Sequence, residues 1–295
     1  MPLAGVSDPF APVVGQQAAV AALSALLRRG GGAGTTLLWG PDGVGRFLLA
    51  HRTACAILGD SPASFARVEG FHHPDLHVVE PGDGIDGVRA AREAIARRAV
   101  EGPRPVLLLR DADRLHLDAL NALLKTMEEP PSGAAVILVA ESPELLPATV
   151  VSRCARVRAR PLDRAAFAEV LRRNGRDPGD AADAEGSAGR ALYHHEAGIA
   201  ESVASLLPLL QGRAHDPLGE AEKLARARGG EKPADLRRRL GEVLRVAATR
   251  LRRDLPASEF VVRALMEGLG SLQANANPGI VMAHLVVQGW KRHGN

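Results

Sequence analysis

Cysteine, aromatic rings and lysine are all scarce in this sequence. Among 295 residues the only cysteines are Cys55 and Cys154, far apart and in no C-x-x-C pair, which supports neither a disulfide framework nor a thiolate zinc site. Aromatics make up 3%, so the core has to be built from Leu, Val and Ala, a composition that suits helices. Lysine occurs only as Lys125, Lys223, Lys232 and Lys291; arginine supplies the rest of the 37 basic residues. With 34 acidic residues the net charge is only +3, which permits nucleic-acid contact without arguing for it. No apolar run approaches the roughly 20 residues of a membrane helix, so no membrane contact is expected. The start, MPLAGVSDPFAPVV, lacks the charged head and apolar middle of a signal peptide, and a cytoplasmic location is expected.

What is present centres on the stretch from Val106 to Cys154. Val106 to Leu109 is a short apolar run that reads as a buried strand ending at Asp111. Leu120, Leu123, Leu124 and Met127 then recur at i, i+3, i+4 and i+7, one face of a helix, with Asp118 expected as its cap and Pro130-Pro131 as its stop. Ala135 to Ala140 is a second buried strand. Strand, helix, strand implies a βαβ unit and a parallel sheet.

Upstream, Thr35 to Trp39 reads as a strand feeding GPDGVGRF at 40–47, and Phe47 to Leu58 as the helix after it. A phosphate-binding loop has the form G-x-x-x-x-G-K-[S/T], in which backbone N–H groups cradle phosphates, Lys reaches the β/γ-phosphates and a hydroxyl binds Mg²⁺. Gly40, Gly43 and Gly45 suit the cradle, but Arg46 stands where Lys belongs and Phe47 where the hydroxyl belongs. A planar guanidinium is no drop-in substitute for an ammonium, and a phenyl ring has no oxygen for a metal. The acidic turn has Asp111 followed by Ala112, with Asp113 one residue on and read as a helix cap.

The order of acidic turn, NALLKTMEEPP and Ser152-Arg153-Cys154 resembles the clamp-loader subunits of bacterial DNA polymerase III, a branch of the AAA+ ATPases, and most of all the delta-prime branch. The likeness runs over roughly residues 13–200. It implies an α/β fold: an AAA+-like parallel sheet with P-loop NTPase topology over residues 1–160, a small helical lid over 161–200, and an all-α collar over 201–295. In such ATPases Asp-Glu follows the strand, so Ala112 replaces the general base, and Glu141 or Ser142 replaces the polar sensor of the γ-phosphate. Arg153 matches the arginine finger that reaches a neighbouring subunit's γ-phosphate. Gly186-Ser187-Ala188-Gly189-Arg190 matches the start of the last lid helix, from which Arg190 would touch phosphate.

The expected function is therefore a non-catalytic subunit with no cofactor of its own. It would join gamma/tau-type ATPase subunits and a delta subunit in a hetero-oligomeric ring, and act on a sliding clamp and primer-template DNA through that complex. The readings kept open beside it are a working AAA+ clamp-loader ATPase and a stand-alone nucleic-acid-binding module. Many family members carry a four-cysteine zinc module after the glycine loop; here only Cys55 remains, with His72-His73 nearby, and no zinc or other metal is expected. Val88, Ala91, Ile95 and Ala99 line one side of a predicted helix, with Arg89, Arg92, Arg97 and Arg98 elsewhere on it. These arginines contact DNA by resemblance, or form a solvated face with Arg89 and Glu93 paired. Beyond about residue 201 the sequence is helical throughout, in five segments from Val203 to Trp290.

Overall fold

The computed structural model describes residues 8–30, 34–178, 184–254 and 259–293. Parts of the core expected over 1–160, the lid expected over 161–200 and the collar expected over 201–295 lie outside them.

Five strands form one parallel sheet: β1 (Gly34–Trp39), β2 (Leu76–Val79), β3 (Val106–Leu109), β4 (Ala135–Ala140) and β5 (Ala155–Arg158), in the spatial order β2-β3-β4-β1-β5. β1 lies between β4 and β5, with Leu37 beside Leu138 and Arg156. All four residues of β3 and all six of β4 are buried, the pattern of strands covered on both faces. Alternation sends Val106, Leu108, Ile137 and Val139 to one face, where α1 (Gln17–Gly30) and α2 (Arg46–Leu58) pack. Leu107, Leu109, Val136 and Leu138 face the other side, against α4 (Gly84–Ile95) and α5 (Leu117–Glu128). The short α3 (Pro62–Glu69) packs on α2, and is capped by Ser61 Oγ accepting from the Ser64 N–H. Each fully buried Leu of this kind contributes roughly 1.5–3 kcal/mol. The expected α/β sheet with P-loop NTPase topology is present.

Local details differ from expectation at four places. Helix α5 begins at Leu117 with His116 at its cap position and no side-chain cap; Asp118 sits inside the first turn, where its charge faces the positive helix end instead. Asp113 caps no helix but accepts the Glu141 N–H at 3.1 Å. Helix α4 stops at Ile95, so Arg97, Arg98 and Ala99 lie beyond it. The chain leaves there because the N–H groups of Val100, Glu101 and Gly102 all donate to the Asp75 carboxylate, at 2.7, 2.9 and 2.7 Å. Finally, Arg89 pairs with Asp86 at 3.6 Å and not with Glu93.

After β4 come α6 (Ala148–Val151), β5 and α7 (Arg164–Arg173), the last opened by Asp163 capping the Ala166 N–H at 2.8 Å. The described residues divide into two compact units, one running to Pro178 and including Glu185–Arg190, the other from Ala191 onward together with Ala184. The division falls within α8 (Ala188–Glu196). The second unit is all-helical: α9 (Ile199–Leu210), α10 (Pro217–Ala225), α11 (Pro233–Asp254), α12 (Glu259–Gln273) and α13 (Pro278–His293). Its core holds Leu206, Leu240, Leu244, Leu265, Met282 and Leu285. Arg239, only 2% exposed, is bound by both oxygens of Glu231 and by the Arg226 carbonyl, which fixes the α10–α11 connection. No described helix is long and apolar enough to cross a membrane.

Candidate functional site

Strand β1 runs at Trp39 into the glycine loop, and α2 starts at Arg46 with Gly45 in the left-handed region at its cap. Gly40 has φ of 151°, and a Cβ there would stand 2.1 Å from the Ala159 carbonyl oxygen, so no larger residue fits. Gln16, buried beside the loop, donates through Nε2 to the Val44 carbonyl at 2.9 Å and the Arg160 carbonyl at 2.7 Å, while its Oε1 accepts the Arg160 N–H. It staples the loop to the exit of β5.

The loop is also tied to the segment that carries Arg190. The Ser187 hydroxyl donates to the Asp42 carbonyl at 2.7 Å and accepts the Arg190 N–H at 3.2 Å; the Gly189 N–H donates to the Gly43 carbonyl at 2.8 Å. Gly43 has φ of 74°, and a Cβ on it would lie 2.3 Å from Ser187 Oγ and 2.6 Å from the Arg190 nitrogen. The Arg190 side chain is mostly buried and pairs with Glu185 at 3.5 Å.

Inside the loop, Arg46 is 6% exposed. Its Nη2 sits 3.2 Å from Asp42 and 3.7 Å from Asp111, so a guanidinium joins the two carboxylates. Asp111 adopts a left-handed backbone, φ 45°, as it turns off β3. Arg46 Nη1 is buried without a hydrogen-bond partner. That orphan donor is the loop feature suited to an anion. Nothing comparable serves a metal: Phe47 stacks with Phe71 at 6.0 Å and lies under the Arg110 guanidinium at 4.4 Å. The residues present therefore do not fit a magnesium nucleotide, because the hydroxyl ligand is a phenyl ring and Asp111 faces a fixed organic cation. Ala112, beside Asp111, is fully buried in the apolar cluster under α5. Glu141, at the tip of β4, is exposed, and its carbonyl accepts the Gly40 N–H at 3.2 Å.

Arg153 lies just before β5, away from the glycine loop's own contacts. Its Nε donates to Glu128 Oε1 at 2.7 Å, Nη2 pairs with the same carboxylate, and Nη1 donates to the Thr149 carbonyl at 2.6 Å. Cys154 donates its thiol to the Val150 carbonyl, and burial pushes its pKa up to about 11, which removes it as a nucleophile.

The remaining candidates are dispersed. His73 and Asp75 are structural: the His73 Nδ1 accepts the Asp75 N–H at 3.1 Å, and Nε2 pairs with Ser64 Oγ. Burial works to raise the Asp75 pKa, but the three backbone donors outweigh it and hold the carboxyl below its ordinary value. Among the described residues no three His, Cys, Asp or Glu side chains form a group able to hold a metal ion. Arg92 is half-buried and donates to the Ala122 carbonyl at 3.2 Å, while Arg89 and Arg97 are exposed.

Comparison with known proteins identifies the family. A sequence profile of the family described as DNA polymerase III, delta subunit, matches residues 15–163, half of the chain. A DNA polymerase III subunit delta-prime from Pseudomonas aeruginosa is 33% identical over 132 residues, 40% of this chain and 40% of the relative. One from Bacillus subtilis is 31% identical over 147 residues, 46% of this chain and 44% of the relative. The chain thus spans less than half the length of these relatives. In fold it is similar to a DNA polymerase III gamma-subunit-related protein of Thermotoga maritima, with a TM-score of 0.53 at 17% identity, covering 92% of this chain and 99% of that one. On the family match over residues 15–163, with relatives named as subunit delta-prime, the chain belongs to the DNA polymerase III delta-subunit family, in its delta-prime branch.

Proposed function

We propose that this chain is a non-hydrolysing subunit of a DNA polymerase III clamp loader, supplying a rigid wall and Arg153 to a nucleotide held by a neighbouring ATPase subunit. One observation carries this reading: Arg46 bridges Asp42 and Asp111 inside the glycine loop, in the place where a nucleotide's metal and phosphates would be bound. The cis site is thus neutralised by its own side chain, and Phe47 offers no metal ligand. Arg153, by contrast, is partly exposed beyond α6 in a screened pair with Glu128, and its guanidinium is a group suited to phosphate.

In this reading the neighbour is a subunit of the gamma/tau type. Relatives of that name from Bacillus subtilis and Haemophilus influenzae match 50% and 55% of this chain. The guanidinium of Arg153 would offset charge that develops on the neighbour's γ-phosphate during hydrolysis. Residues 201–295 would serve as the collar, residues 161–200 as the lid, and clamp and primed DNA would be reached through the assembly. Exposed Arg97 would face DNA most freely; Arg89 is paired with Asp86 on the surface and Arg92 is tied to the Ala122 carbonyl.

The test is ATP turnover by gamma/tau-type subunits reconstituted with a delta subunit, clamp and primed DNA. Adding this protein should raise turnover, and Arg153→Ala should lower it by on the order of tenfold or more while the complex still assembles. The protein alone should hydrolyse no ATP. Turnover by the isolated chain, or full stimulation by Arg153→Ala, overturns the reading.

A further inference from the structure

Arg153 is not presented free to a neighbour. All three of its guanidinium nitrogens are engaged within the chain, two by Glu128 and the third by the Thr149 carbonyl. A guanidinium grips phosphate through two parallel N–H groups. The side-on pair of N–H groups, on Nε and Nη2, is taken by Glu128, so Arg153 has to release Glu128 before that pair can hold a phosphate on another subunit.

Glu128 is oddly placed for a merely stabilising partner. It is the last residue of α5, where the helix's negative end disfavours a carboxylate. Arg153 neutralises it there, and removal of Arg153 would leave two negative ends together. The pair is also accessible, with 32% of the Arg153 and 46% of the Glu128 side chain exposed, so water and salt screen it and keep it exchangeable. A polyphosphate carries several negative charges against the one on Glu128, and can draw the arginine away.

From these contacts we infer that Glu128 is a latch: it holds Arg153 in cis, lets the finger cross only when a neighbouring site contains a charged polyphosphate, and takes it back when that charge departs. The inference rests on the reading of Arg153 as a trans-acting residue. Glu128 is thus a positioning residue acting through Arg153, with no contact of its own to the reacting atoms.

A latch that competes with nucleotide reduces the fraction of fingers ready to bind, which raises the apparent KM for ATP. In the reconstituted complex, Glu128→Gln should lower that KM about two- to fivefold with kcat within about twofold, the range expected when a screened ion pair is lost. Glu128→Asp, which keeps the charge, should restore the parent KM. The double variant Glu128→Gln/Arg153→Ala should behave as Arg153→Ala alone. A KM that is unchanged or raised by Glu128→Gln, in a complex where Arg153→Ala lowers turnover, overturns the latch and leaves the trans-acting finger standing. No effect of Arg153→Ala overturns both. A shift of KM that Glu128→Asp does not reverse means that Glu128 acts through structure, and also overturns the latch.

Discussion

At the scale of single residues, charge in this protein is spent on holding backbone as much as on chemistry. Asp75 is the clearest case, with three consecutive N–H groups on one buried carboxylate. Its folded pKa lies below the ordinary 3.8, so the stabilisation is complete above that value and is lost as pH falls through the lowered one. Asp75→Asn should cost about 1–3 kcal/mol near neutral pH, measured by urea unfolding, and the gap from the parent should shrink below pH about 4. A gap that stays constant into acid would mean that shape, not charge, holds residues 100–102. None of this was legible in the sequence, because the partners lie some 25 residues away from Asp75 with only a glycine to mark them. The same distance hid Glu128 behind Arg153, although both residues stand within the motifs that carried the family resemblance. Arg46 and Phe47, by contrast, were legible at once, since a loop with a fixed pattern makes a wrong residue conspicuous.

At the scale of elements, periodicity did well where packing is two-sided and poorly at the ends. β4 occupies the very residues 135–140 whose apolar run marked it, and Leu120, Leu123 and Met127 are buried as the helical spacing required. The end of α4 was misjudged because the apolar spacing continues to Ala99 while the Asp75 clamp diverts the chain first. The resemblance placed Arg190 near the phosphate, but the backbone tie between Gly43 and Gly189 was out of reach, because two glycines facing each other leave no periodic signal. Gly43→Ala tests that tie. Its Cβ would collide with Ser187 Oγ and the Arg190 backbone, and φ of 74° adds strain. We expect a loss of about 1–3 kcal/mol, with amide exchange quickening first at Gly189 and Arg190. Unchanged exchange there would show that the loop yields and the contact is dispensable.

At the scale of the whole molecule, two cores with different grammars share one chain. The first is a sheet covered on both faces; the second is a set of helices built almost wholly from Leu, Val, Ala and Met, as the scarcity of aromatics required. Leu244, with no exposed surface, lies in the second core. Leu244→Ala should cost about 2–5 kcal/mol, read as faster exchange of the amides of α9, α11 and α12. Equal loss of protection across β3 and β4 would instead mean that the two cores unfold as one.

Buried Ala112 has a bearing on what the site could become. The family resemblance puts a glutamate at this position in working ATPases, yet here the side chain points into a packed apolar cluster with no exposed surface. A glutamate restored there would have to bury its charge among Leu109, Leu115 and Leu120 or rebuild the turn at Asp111. Reinstating lysine at 46 and threonine at 47 would not repair that. In the proposed non-hydrolysing reading, packing thus occupies the place a general base would need, and changes at 46 and 47 alone would not create an ATPase site.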